Sequence, residues 1–408
     1  MLFAPLSVNR LYPLSFINVF RRKISSLVSA AALALTLFPA RADVTFVNLY
    51  SFTNGPDGSI PQAGLSRGSS NDCFYGVSSE GGINSQNPNG GGVVFRINGE
   101  GALTPLYSFT NGLDGSNPFG EIVLGADGSF YGTTEDGLVD MSGSVEIFPG
   151  TIFKITPNGV LNVLYSFTNG GGAFPVAPLF QASDGCIYGT TAGFLSGAGT
   201  VFKITTNAAF TLLYTFTNGV DGSSPKGALA QGTDGNLYGA ASSGGTNGFG
   251  SVFRITTNGV LTPLYSFING IDGSDPYAGL TLGSDGNFYG TTLGDGKTNH
   301  GSIFKISPNG AMSVLYSFTN GMDGNAPYAG LVQGTDGNFY GATSQGGIGS
   351  GGVLFETTAK GVLTVLYSFT NGIDGSGPNI LVQGTGGNFY GTTSFGGMAN
   401  AGTIFRVK

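Results

Sequence analysis

Four carboxylates, Glu135, Asp136, Asp140 and Glu146, fall within a single loop of this chain and form its densest group of side chains able to do chemistry. Two carboxyls about 5–9.5 Å apart are what glycoside hydrolysis needs, and several together suit a cation. The plainer expectation is a solvated acidic loop. Leu138, Met141, Val145, Ile147 and Phe148 between and beside them are apolar for a loop, which suits contact with a protein partner.

A second series of carboxylates recurs singly. Asp57, Asp114, Asp221, Asp272, Asp323 and Asp374 each sit in a stretch close to Asn-Gly-x-Asp-Gly-Ser-x-Pro, whereas the third copy reads Asn169-Gly170-Gly171-Gly172. Calcium wants six to eight oxygens and an alternating ligand pattern, and one carboxylate per copy falls well short. Asn-Gly and Asp-Gly instead shape consecutive turns before a proline that fixes the next strand. Calcium is therefore only weakly supported, and no other cofactor is suggested.

The residue after that proline varies in kind: Gln62, Phe119, Val176, Lys226, Tyr277, Tyr328 and Asn379. Phe119, Lys226, Tyr277 and Tyr328 are candidates for an asymmetric binding mouth whose rings could stack on a sugar or a peptide. Packing beneath a neighbouring loop is the competing expectation. Nucleophilic catalysis is harder to assemble. His300 is the sole histidine, Cys73 and Cys186 stand alone, and no Gly-x-Ser-x-Gly elbow leads into a helix. One histidine and two separated cysteines make no zinc site. The two cysteines hold equivalent places two repeats apart, too far for a disulfide, and are expected to be buried free thiols.

The elements that must position these residues follow from a repeat. Leu-Tyr-Ser-Phe, or Leu-Tyr-Thr-Phe, begins at Leu49, Leu106, Leu164, Leu213, Leu264, Leu315 and Leu366, at intervals of 49 to 58 residues. Within one copy, Asp336-Gly337 separates two short apolar runs, a hairpin signal that returns at Asp127-Gly128, Asp184-Gly185, Asp234-Gly235 and Asp285-Gly286. Asn71-Asp72 and Gly386-Gly387 stand there in the first and last copies. A second turn, such as Asn158-Gly159 or Asn309-Gly310, leads into the Leu-Tyr-Ser-Phe strand. Each repeat is thus four antiparallel strands, the unit of a β-propeller blade. Pro105 and Pro263 lie mid-run in the fourth strand, which places it at the outer edge. Small pairs such as Ala63-Gly64 and Ala329-Gly330 open the first strand and suit the crowded axis. Asp43 onward supplies an outer strand without the three before it, and the chain stops at Lys408 on a third strand without a fourth. The fold expected is an all-β, seven-bladed propeller over residues 43–408, closed by the N-terminal strand completing the last blade.

Residues 1–42 differ from the rest. They carry Arg10, Arg21, Arg22, Lys23 and Arg41, no acid, and the apolar stretch Leu27 to Phe38 before Ala40-Arg41-Ala42. That is the pattern of a secretory signal peptide, too short in its apolar run to span a bilayer. Arg21-Arg22 leaves twin-arginine export open beside the general route, although the residues after the pair match that signal poorly. Beyond residue 42 the chain has 11 basic and 23 acidic residues, a net charge of −12. Such a surface repels phosphate backbones and anionic lipid, so nucleic-acid and membrane-surface partners are not expected; no later segment is long and apolar enough to span a bilayer, and a monomer is expected.

The recurring text, Leu-Tyr-Ser-Phe-Thr-Asn-Gly-x-Asp-Gly-Ser-x-Pro, then Asp-Gly-Asn-Phe-Tyr-Gly-Thr-Thr, then Gly-Thr-Ile-Phe-Lys-Ile, resembles the GloVer (Gloeobacter–Verrucomicrobia) tandem repeat over about residues 44–408. The resemblance implies an exported bacterial repeat protein with no established activity, often ending in a C-terminal anchoring segment. This chain ends on Lys408 inside a strand, which points to free secretion or periplasmic residence. Gly346-Gly347 is shared with kelch blades, but the absence of Trp removes the kelch signature.

Three functions fit. The first is a non-catalytic scaffold binding a glycan or protein across its loop-rich face. The second is a carboxylate-dependent polysaccharide hydrolase or lyase, and the third a purely structural envelope or matrix ring. The near-identity of blades four to six favours the first and third, because catalysis usually needs one blade to diverge. No enzyme class is supported by the residues.

Overall fold

The computed structural model describes residues 44–69, 73–83, 90–141, 144–167, 172–193, 197–294 and 298–408, with the backbone alone over 138–148. The leader 1–42, the turn at Asn71-Asp72 and the stretch Asn169 to Gly171 lie outside them.

Seven antiparallel sheets follow one another along the chain, six of them in the order inner, second, third, outer strand, while the seventh takes its outer strand from the N-terminal segment. Blade six is representative: Val332–Gln333, Phe339–Thr343, Val353–Thr357 and Leu363–Ser368. The two middle strands are buried along nearly their whole length, because each sheet is covered on both faces by its neighbours. This explains why Phe-Tyr-Gly-Ala-Thr carries no polar alternation. The outer strand is half-exposed and bulged; in blade one that bulge lies where Pro105 pairs with Phe95, on the edge where its missing N–H costs nothing.

Turn chemistry is local and repeated. In blade two, Gly128 adopts φ 79° and its N–H donates to the Gly125 carbonyl, while Gly125 N–H donates to Ser129. The Asp127 carboxylate accepts from the Ser129 N–H at 3.1 Å and from the Tyr131 hydroxyl at 2.7 Å. In blade seven, where Gly386-Gly387 replaces Asp-Gly, the turn is a short 3-10 segment over Thr385–Gly387. It is the one helical element among the described residues, and none there is long and apolar enough to cross a membrane.

Five of the seven blade junctions carry an aromatic pair, while Ile187 and Leu237 take the ring's place against Tyr131 and Tyr188. Tyr75 packs on Phe130, Tyr238 on Phe288, Tyr289 on Phe339 and Tyr340 on Phe389, with centroids 3.9–4.1 Å apart. Tyr390 of blade seven completes the circle on Phe74 of blade one at 4.2 Å. Side-chain amides add a second link: Gln181, Gln231, Gln333 and Gln383 each accept from a backbone N–H of the preceding blade at 2.8–3.1 Å.

The ring closes as the chain ends required. Phe46–Ser51 pairs antiparallel with Thr403–Val407, from Phe46 opposite Val407 to Ser51 opposite Thr403, and becomes the outer strand of blade seven. Thr45 and Lys408 exchange two backbone hydrogen bonds at the end of that ladder. Cys73 and Cys186 are free, as expected, but half-buried rather than buried.

Candidate functional site

The connections between blades and the loops between second and third strands share one face, where they pair: Ser59 with Glu80, Ser116 with Asp136, Ser223 with Ser243, Ser274 with Gly294, and Asn325 with Gln345. The recurrent aspartate organises each connection. In blade six's connection Asp323 is fully buried and accepts from Tyr316 Oη at 3.0 Å, Thr319 N at 2.8 Å, Thr319 Oγ1 at 2.6 Å and Gly321 N at 3.2 Å. Asp57, Asp114, Asp221 and Asp374 do the same in their own connections. These carboxylates are thus occupied by donors from their own turn. Among the described residues no group of three or more His, Cys, Asp or Glu is arranged to hold a metal ion.

The residues that follow the proline converge. Gln62, Phe119, Val176, Lys226, Tyr277, Tyr328 and Asn379, one from each blade, line a cavity of about 240 Å³ at the axis. They are presented there because each proline packs on the preceding blade's loop glycine, as Pro118 does on Gly92, and the chain then runs inward to the axial strand.

The side chains are unequal. Successive blades supply Lys226, Tyr277 and Tyr328: Lys226 Nζ stands 4.6 Å from the Tyr277 ring centroid, and the Tyr277 and Tyr328 rings lie 4.1 Å apart at 35°. Tyr277 therefore engages a neighbour from the blade on either side, and Phe119 enters from blade two on the other side of the mouth. Burial pushes the phenols of Tyr277 and Tyr328 up, and the nearby Glu135 and Asp275 carboxylates push them further. Asp275 is itself raised by burial, against the pull of Lys226 and Ser242. Burial, with Asp136 adding, raises Glu135.

At the bottom of the cavity the inner strands nearly touch. Where most blades place Gly, Ala or Pro nearest the axis, blade two has Glu121 and blade seven Ile380. A Cβ built on Gly64 would lie 2.3 Å from Ile380 Cγ2 and 3.1 Å from Glu121 Oε2, so glycine is required there. Burial pushes the Glu121 carboxyl up to about 8.

The matches to the repeat profile run over residues 35–191, 141–334 and 283–408, which together span every blade. The chain belongs to the Gloeobacter/Verrucomicrobia repeat family. No curated protein sequence matches it. Among solved structures, this repeat protein superposes on hydrazine synthase of Kuenenia stuttgartiensis with a TM-score of 0.53 at 14% identity, covering 85% of this chain and 96% of that one. A gluconolactonase from Xanthomonas campestris gives a TM-score of 0.47 at 10% identity, covering 92% of both chains. At such identities the likeness is one of fold.

Within this Gloeobacter/Verrucomicrobia repeat chain, the loop of four acids is divided. Glu135 and Asp136 lie beside the mouth, with Asp136 accepting from Asn117 Nδ2 at 3.1 Å. Asp140 and Glu146 fall in a separate two-stranded ribbon, Gly137–Met141 with Ser144–Phe148, where Asp140 pairs with Val145 and Glu146 with Val139. Their side chains lie outside the described residues. The letters Gly64-Leu65-Ser66-Arg67-Gly68 spell a Gly-x-Ser-x-Gly sequence, but they run into the inner strand of blade one, and Ser66 donates its hydroxyl to the Ile122 carbonyl. Glu121 is the site residue the sequence reading missed. Its signal was present, since Gly120-Glu121-Ile122 stands where blades one, five and six read Ala-Gly-Leu.

Proposed function

We propose that this protein is an exported, non-catalytic binding propeller that takes a glycan or a protein through its loop-rich face, with the axial mouth as its principal contact. One observation carries the reading: seven equivalent positions, unlike one another in chemistry, meet at a single cavity. A ring serving shape alone has no need of a lysine, two tyrosines, a phenylalanine and three carboxyls around one opening. Convergent polar groups in an apolar concavity are the usual form of a small-ligand site. The basic, acid-free leader with its apolar run supports export.

A glycan array probed with the purified chain beyond residue 42 tests the reading. Tyr277→Ala and Tyr328→Ala should each weaken the best ligand at least tenfold, and unchanged affinity would remove the mouth from consideration. Secretion of the chain with a new terminus at Asp43 tests the export route.

A protein ligand is favoured by a different feature. The residue between Asn-Gly and Asp-Gly is Leu113, Val220, Ile271, Met322 and Ile373 in five connections, and all are exposed, up to 75% for Ile373. Apolar side chains spaced around one rim are a form of surface that protein contacts use. Aspartate replacements at Leu113 and Ile373 should abolish capture of a protein ligand and leave glycan binding intact.

A further inference from the structure

Resting on the reading of the mouth as a binding site, we propose that its floor is a subsite for one neutral, hydroxyl-rich ring, a single sugar residue entering end-on, to which Glu121 donates a hydrogen bond.

Size is the first reason. A cavity of about 240 Å³ lies below the roughly 300–1,000 Å³ of pockets that engulf drug-sized ligands, so it takes one ring and not a chain. Glu121 and Ile380 come together across Gly64 and narrow the cavity beneath the mouth residues, and the ring enters from the loop face.

Charge is the second reason. An anionic ligand would meet Asp275 and Glu135 at the mouth, and the cation there, Lys226, already stands over the Tyr277 ring. A cationic ligand would meet Lys226, and burial, which raises the Asp275, Glu135 and Glu121 carboxyls, weakens each counter-charge about the cavity. A neutral polar ring satisfies both ends of the cavity.

Chemistry is the third. A protonated carboxyl both donates and accepts, which is what a sugar hydroxyl requires. The groups about Glu121 are Gly64 and Ser66 from blade one and Ile380 from blade seven, with Lys226, Asp275, Glu135, Tyr277 and Tyr328 as the titratable groups higher in the mouth. Desolvation raises the Glu121 carboxyl, and the Ser66 hydroxyl that would oppose it is given to the Ile122 carbonyl.

Calorimetry with free glucose, galactose, glucuronate and glucosamine, between pH 6 and pH 9, tests the proposal on the intact chain. A neutral hexose should bind best to the wild type and lose about tenfold in affinity from pH 7 to pH 9, one unit above the Glu121 transition. Glu121→Gln, which keeps a donor and an acceptor, should bind with no such pH dependence. Glu121→Ala should bind at least tenfold more weakly. Preference for glucuronate or glucosamine, full binding by Glu121→Ala, or an unaltered pH profile in Glu121→Gln would overturn the subsite while leaving the mouth in place. No binding of any of the four sugars would overturn the subsite, and hexose binding indifferent to Tyr277→Ala and Tyr328→Ala would overturn the mouth as the site and the subsite with it.

Discussion

Phe46 lies flat on Tyr367, with ring centroids 4.0 Å apart and planes 8° from parallel. One ring belongs to the N-terminal strand that completes blade seven, the other to the outer strand of blade six. Phe46 also reaches Phe369 and Phe405 at 5.6 and 5.5 Å, so the latch is fastened by aromatic packing as well as by its ladder. Tyr165 and Phe210 repeat the stack between blades two and three, at 3.8 Å and 3°.

Phe46→Ala should therefore destabilise the ring by about 2 kcal/mol, since a half-buried ring and a stacked pair are lost together. Urea unfolding of Phe46→Ala, Tyr367→Ala and the double variant should give a coupling of about 1 kcal/mol. Additive effects would mean that the rings touch without contributing to closure.

The connection aspartates make a graded series. Asp323→Ala leaves the Tyr316, Thr319 and Gly321 donors without their acceptor and should cost about 3 kcal/mol. Asp272→Ala should cost less, because blade five has Ile268 where the others have threonine, and its backbone N–H is the donor there. Thermal melts with added calcium or chelator should show no shift at either site. A calcium-dependent melting temperature would make these carboxylates ligands rather than turn acceptors.

Two sets of carboxyls give stability opposite pH dependences. At Asp285 burial raises the carboxyl, but hydrogen bonds from Lys305, Asn287 and Tyr289 outweigh it and hold it well below the usual range. Asp127, Asp234 and Asp336 are also lowered, hydrogen bonds outweighing burial. Their contribution is complete above the unfolded value near 3.8 and fades as the pH falls below it.

Glu121 acts in the other sense. The folded protein keeps a proton, up to about pH 8, that the unfolded chain releases near 4.5, so rising pH within that window favours unfolding. The slope reaches about 1.4 kcal/mol per pH unit for one proton. Glu121→Gln should flatten the fall in melting temperature between pH 5 and pH 8, and a parallel curve would show that the carboxyl is solvated after all.

Ala208 is the odd member of the turn between third and outer strands. It adopts φ 71°, where the other described copies of that turn place glycine, as at Gly159 and Gly310 with φ 88° and 90°. Ala208 N–H still donates to the Thr205 carbonyl, so the turn is the same. Ala208→Gly should stabilise the protein by about 0.5–1 kcal/mol, the strain of a left-handed Cβ exceeding glycine's entropy cost. Chemical denaturation measures it, and a loss of stability would show that the strain is absent.

Recurrence made the fold legible. Asp336-Gly337, Asn309-Gly310 and Leu315-Tyr316-Ser317-Phe318 each specify a turn or strand through neighbours a few residues away, and the chain's strand deficit at Phe46 and Thr403 specified closure. The same arithmetic brought Phe119, Lys226, Tyr277 and Tyr328 to one position in each blade, and so to one height on the ring. Only the assembled ring decided what those residues meet. Lys226, Tyr277 and Tyr328 are 51 residues apart in succession, and no local rule states that one ring will take a cation and the other a stacked phenol. Glu121 shows the same divide, because its carboxyl is desolvated by Gly64 and Ile380, which approach it from opposite ends of the chain when blade seven closes on blade one. Turn and strand propensities are local and can be read along a sequence, whereas burial and electrostatics depend on distances that exist only after the ring has formed.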